Sequence, residues 1–431
     1  MYSSLSDIEQ ENSYGWINNK FPINSVKAVN KFREAVSLLS GIKLNEAKTN
    51  LANELMHFGR FIEGLYIWPK EFKNIGDARD VTAFQKAKGF WQLAYLIEDT
   101  GHANYYLFEA YKIYKDLKTR ENLIGHPDIK QAIKNNDAIN NFLKNGDKNF
   151  ASIKELKDIC SNPTYEQDEK NYRKWCLNNC LFLNHLNDIT NTWVTDQDIL
   201  QFPTHTTNLL DGPFWATAFS SIKREFCFSR FLLYEGLHDV HPEFENQRMF
   251  LTDTLDYVSY SGSIEKIKTS IRVLFSLFDS LYGLMNHYFN ESPKGDNLFN
   301  GRNIKSNFGH FNNPYINSLY WLACDLTDND HISSEYWYAP NPSAKHLRKL
   351  RNSLEHGWVR IAESKPPWNN KLDYAEVFSI IQLKKMALEL AMLGRSAILY
   401  FVLAVKHNET SKECDKIRSI AHSTPILGKS E

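Results

Sequence analysis

Between residues 263 and 289 the apolar side chains fall at Ile267, Ile271, Leu274, Phe275, Phe278, Leu281, Tyr282, Met285 and Phe289. Steps of three and four on this pattern predict a helix that is apolar on most of its sides. One polar line runs through it: Arg272, Ser276, Asp279, Gly283 and Asn286. Such a helix belongs in a core, and an acid on it needs a partner, because an unpaired buried charge is costly. The same period recurs at Phe219, Ile222, Phe226 and Phe231, predicting a helix over 213–236. It predicts a shorter one over 315–326 and, beyond the break at Pro366 and Pro367, another over 374–407. Leu347, Leu350 and Leu354 form a narrower stripe on the stretch from Lys345 to Trp358, with Pro342 and Ser343 as its start signal. Runs alternating with period two are nearly absent, and Gly and Pro are sparse. The expected fold class is all-α.

The N-terminal part carries helices of another kind. Asn50-Leu51-Ala52, then Gly59-Arg60-Phe61, then Glu63-Gly64-Leu65 resemble one tetratricopeptide unit, a helical hairpin whose small residues let its two helices approach closely. A looser echo follows, with Ala87-Lys88-Gly89, a turn at Thr100-Gly101-His102, and a second helix through Ala110 to Tyr114. The turn glycines Gly59 and Gly101 are 42 residues apart, longer than the usual repeat of about 34. Two hairpins do not make a stable solenoid by themselves. They serve either as a surface for a protein partner or as a structural cap. From Asp128 to Gln167 the sequence turns polar, marking a boundary. The expected organisation is a tetratricopeptide-like region over 1–150, a helical connector over 151–207 packing on both halves, a helical bundle over 208–410 and a flexible tail over 411–431.

A chain of 431 residues has room for two or three domains. Its net charge of −1 gives no global field to draw it onto nucleic acid, so any such contact must be local. Aromatic side chains make up 13% of the sequence, which large helical cores explain more readily than base stacking. The six cysteines show no disulfide-like spacing, in keeping with a reducing compartment. No charged-then-apolar leader opens the chain, and the apolar run 397–405 is too short to span a bilayer. A soluble, cytoplasmic protein with no membrane partner is expected. Cys176, Cys180 and His185 invite a zinc reading, but buried thiols on an apolar helix explain them better; His238 and His241 are a similarly weak hint. Neither metal nor cofactor is expected.

Chemistry concentrates at Lys345-His346-Leu347-Arg348-Lys349-Leu350-Arg351-Asn352-Ser353-Leu354-Glu355-His356. Arginine grips phosphate through a planar fork, and histidine moves protons near neutral pH. Together, Arg351 and His356 are a pair able to cut RNA. Between Lys345 and Arg360 five basic residues face the single acid Glu355. Lys345, Arg348 and Lys349 are the candidate RNA-binding residues, with Asn352 and Asp279 in support. Asp279 is placed to pair with Arg351 or to orient His356, and equally to pair with Arg272 or Lys268 on its own helix. A rival pair, Arg120 and His126, runs into Gly125 and Pro127, which break a helix.

A helical bundle with Arg-polar-x3-His on its third main helix and an acid on the preceding long helix resembles the HEPN superfamily (higher eukaryotes and prokaryotes nucleotide-binding). The narrower resemblance is to HEPN proteins with a tetratricopeptide-like front end. It is carried by Tyr172-Arg173-Lys174-Trp175-Cys176-Leu177, Leu181-Phe182-Leu183-Asn184, Lys223-Arg224-Glu225-Phe226 and Leu350 to His356. It implies a metal-independent endoribonuclease of a prokaryotic defence or toxin-type system, with Arg351 and His356 catalytic. Five helical positions set these two side chains about 140° apart around the axis, so a twofold homodimer with facing helices is expected to complete the site. RNA is the expected substrate, and a protein activator or antitoxin the expected partner of the N-terminal region. The alternative is a non-catalytic HEPN-like adaptor that binds a protein or nucleotide, with Arg351 and His356 in structural roles. Exposure separates the two: catalytic groups face solvent, whereas structural ones are buried and bonded.

Overall fold

A computed structural model describes residues 23–68, 77–95, 97, 99–119, 137–149, 164–208, 214–238, 244, 248–251, 258–289, 298–326, 344–363, 375–412 and 419–422. These contain thirteen α-helices and four short strands, so the fold is all-α in class. The chain divides into two compact units, 1–200 and 201–431.

In the first unit, helices α1 (Ile23–Leu38), α2 (Gly41–His57) and α3 (Phe61–Ile67) pack in sequence. The turn between α2 and α3 needs its glycine: Gly59 has φ of 75°, a left-handed conformation that side chains resist. Arg60 N donates to Leu55 O and Gly59 N to Met56 O, closing the last turn of α2. Arg60, which starts α3, is buried with Glu63 of the same helix, its Nη2 3.0 Å from Glu63 Oε1. Helices α4 (Asp77–Ala94) and α5 (Thr100–Thr119) form the next pair. Here the turn expected at Thr100–His102 is already helical; the chain reverses just before it, where Asp99 Oδ1 accepts from His102 N at 2.8 Å. Helix α6 (Asp137–Asn149) packs on α5, and α7 (Gln167–Asn178) follows. Cys176 and Cys180 are buried free thiols. They do not share a helix face, because Cys180 lies past the end of α7 with φ of 52°, its left-handed turn closed by Leu181 N on Cys176 O at 3.0 Å. No three His, Cys, Asp or Glu come together as a metal-binding group among the described residues.

The second unit is built on α8 (Phe214–Leu237), α9 (Gly262–Tyr288), α10 (Gly301–Phe308), α11 (Pro314–Leu326), α12 (Ala344–His356) and α13 (Ile380–Ser411). The nine apolar positions of α9 named above are all buried. α9 packs along α8, and α13 packs against α8, α9 and α11. α13 is long and apolar enough to cross a membrane by length and composition, but 83% of its apolar window is buried inside the molecule, as befits the bundle's central helix.

Where a helix from residue 374 was expected, the chain first forms strand β3 (Ala375–Ser379), parallel to β2 (Trp358–Ala362). Ser379 then starts α13 in a capping box, its Oγ accepting from Gln382 N while Gln382 Oε1 accepts from Ser379 N. A second ladder pairs β1 (His205–Asn208) antiparallel with β4 (Ser419–His422), which lies within the segment expected as a tail. Glu409, near the end of α13, accepts from Thr206 N at 3.0 Å, from Lys412 and from the Tyr288 hydroxyl, fastening β1 to the bundle.

Candidate active site on helix α12

Helix α12 is amphipathic, and its apolar stripe is the one read from the sequence: Leu347 and Leu350 are wholly buried and Leu354 nearly so. These leucines seat the helix against α9 and α11 and turn its basic side outward. Two residues of the polar line on α9 then pin it. Arg272 donates through Nε and Nη2 to Leu354 O, both at 3.3 Å, satisfying a carbonyl that the helix end leaves without an internal partner. Asp279 Oδ2 accepts from Arg351 Nη2 at 2.7 Å. Its other oxygen accepts from Phe299 N at 2.9 Å, so the carboxylate is held from both sides. Of the partners open to Asp279, the one it takes is Arg351. Lys268 is instead paired with Glu265 at 2.7 Å.

The Arg351 guanidinium also sits over the Phe275 ring, 5.4 Å from its centroid. A flat cation on a buried ring, tethered at one nitrogen, is a preorganised group rather than a waving surface charge. Arg351 and Asp279 each keep 24% of their side-chain surface exposed. Arg351 Nε and Nη1 meet no acceptor among the described residues, so two edges of the fork stay open to an incoming oxyanion.

His356 is the last residue of α12 and is exposed, as is Asn352. Neither side chain takes a hydrogen bond, ion pair or ring contact from the described residues. Lys349 is exposed and reaches Glu376 at 2.9 Å, Arg348 is half-buried, and the Lys345 side chain lies outside the described residues. His238, one of the weak metal hints, places Nδ1 2.9 Å from Tyr234 O; His241 lies outside the described residues, as do Arg120 and His126.

Phe275 and the Phe299 amide were missed by sequence reasoning. Phe275 fits the apolar period of α9 like any core residue, and nothing marks it as a shelf for a cation. Phe299 contributes only its backbone, which carries no sequence signal.

Residues 206–408 match the family model described as LA2681-like HEPN. No curated protein and no solved structure matches the chain. Residues 206–408, the bundle that carries Arg351 and His356, are thus a HEPN domain.

Proposed function

We propose that this protein is a metal-independent endoribonuclease whose active site is assembled from two copies of helix α12. A HEPN domain points to ribonuclease or nucleotide-binding activity. The observation that carries the finer reading is the contrast between Arg351, fixed by Asp279 and Phe275 with part of its fork unused, and His356, exposed and without side-chain partners among the described residues. An adaptor in which both residues are structural would bury and bond them.

The reaction is attack by a ribose 2′-hydroxyl on the adjacent phosphorus, breaking the bond to the 5′-oxygen. His356 is suited to take the hydroxyl proton or to return one to the leaving oxygen. Arg351 is suited to hold the phosphorane's negative charge. One chain offers one such imidazole, whereas the reaction needs both a base and an acid. A twofold dimer with α12 facing its copy supplies both. A role in prokaryotic defence or as a toxin accords with this chemistry, and the first unit is the surface on which an activator or antitoxin would act.

The test is cleavage of single-stranded RNA in EDTA by wild type, Arg351→Ala and His356→Ala, with products checked for a 2′,3′-cyclic phosphate. Cleavage by wild type and its loss in both variants, with unchanged helical content, is the expected outcome. Equal activity in all three, or no cutting by wild type under any condition, removes the nuclease reading.

A further inference from the structure

Immediately past His356 the chain runs through Gly357 into β2, whose first residue, Trp358, is 69% exposed. Two trans peptide bonds allow at most about 7.6 Å between the Cα atoms of His356 and Trp358. Burial deepens along β2, from exposed Trp358 through half-buried Val359 and Arg360 to buried Ile361 and Ala362. The chain leading into α9 runs beside the same strand: Val258 bridges Ala362 in antiparallel fashion, and Ser259 N donates to Ile361 O at 2.7 Å. Tyr260, the next residue, lies between this contact and the Ser261 cap of α9 and is 60% exposed. Two large aromatic side chains thus lie mostly exposed on β2 and on the segment that meets it, one of them two residues past His356. Neither ring belongs to the core, and β3 pairs with the strand along its edge.

Exposed aromatics alone would suit a protein partner as well. The surroundings favour a polyanion: between Lys345 and Arg360 five basic residues stand against the single acid Glu355, with Lys349 and Arg351 drawing their partners Glu376 and Asp279 from other elements. Rings beside basic groups are how single-stranded nucleic acid is held, its bases stacked on aromatic faces and its backbone tracking positive charge. Bases of a duplex are already stacked on one another and cannot use such a platform.

We propose that Trp358 and Tyr260 form a base-stacking track for single-stranded RNA, with Trp358 holding a nucleotide that flanks the phosphate to be cut. The proposal rests on the nuclease reading only for that last assignment; the track itself is a binding surface. Trp358 is a positioning residue, because it lies beside the reacting atoms and transfers no proton.

The test uses the full-length protein and a fluorescein-labelled single-stranded RNA made uncleavable by 2′-deoxy substitution, with the matching duplex for comparison. Trp358→Ala should weaken single-strand binding about tenfold or more, a typical loss for one stacked base, and leave duplex binding unchanged. Trp358→Phe should recover most of the loss. Trp358→Leu, apolar but not aromatic, should not, and Tyr260→Ala should cause a smaller loss. With cleavable RNA, Trp358→Ala should raise KM while kcat stays within a few-fold. Single-strand affinity unchanged in Trp358→Ala, equal losses for single strand and duplex, rescue by leucine, or no single-strand binding by wild type would each overturn the track. Trp358-dependent binding without any cutting leaves the track standing and removes the nuclease. His356-dependent cutting with an unchanged KM in Trp358→Ala does the reverse.

Discussion

Arg351 finds its carboxylate on a residue 72 positions earlier in the chain, and its ring partner four positions before that. A lysine at 351 would keep the charge and the ion pair but lose the flat face that lies on Phe275 and the remaining edges of the fork. Arg351→Lys should therefore lower RNA cleavage at least tenfold. Stability should change by only about 1 kcal/mol or less, because a partly exposed ion pair contributes little. Cleavage assays beside thermal melts separate the two effects. At this scale the sequence was informative about identity and silent about partners. Arg351, Asn352 and His356 stood out by residue type and helical setting, and Asp279 by being an acid among apolar neighbours. Which basic group Asp279 would take depended on how far α12 slides along α9, which a linear pattern does not encode.

The elements most legible in the sequence were those with long, strict periodicity. Helices α8, α9 and α11 begin and end within a residue or so of their predicted bounds, because their buried faces are broad enough to dominate local preference. Leu350, on α12, is wholly buried beneath the site, so Leu350→Ala should cost about 2–5 kcal/mol and loosen Arg351 with it, seen as a lower melting temperature together with reduced cleavage. The strands were not legible: at four or five residues, β1 to β4 are too short for a period of two to emerge, and the β1–β4 ladder joins segments from opposite ends of the second unit. The Glu409 cluster at the end of α13 was equally hidden. Burial alone would raise the Glu409 carboxyl, but bonds from Lys412, Tyr288 and Thr206 N outweigh it and hold it below the ordinary carboxylate value. Burial, and then Glu409 itself, push Tyr288 upward, so its hydroxyl stays protonated and donates. A carboxyl depressed on folding contributes stability above its unfolded value of 4.5 and loses that contribution as pH falls through the folded value. Glu409→Gln should accordingly lower stability at neutral pH and flatten its decline below about pH 4.5, read from thermal melts across an acid series.

At the scale of the whole molecule, near-neutral net charge leaves the local patch on α12 and β2 to do the electrostatic work. RNA affinity should therefore fall with added salt by an amount set by a few contacts rather than by a large basic surface. The proposed two-chain site carries a sharper prediction about assembly. Adding excess His356→Ala protein to wild type should, once subunits exchange, lower cleavage below that of the wild type alone, because a mixed dimer keeps only one of the two imidazoles the reaction needs. Cleavage that stays at the wild-type level despite demonstrated subunit exchange would place the whole site within one chain. The ladder between β1 and β4 has a consequence of its own. It stitches the beginning of the second unit to its end, with His205 facing His422 and Asn208 facing Ser419, so this bundle is topologically close to a ring. A gene rewired to join those two ends by a short linker and to open near Phe250, a fully solvent-facing position, should still yield the same helical bundle.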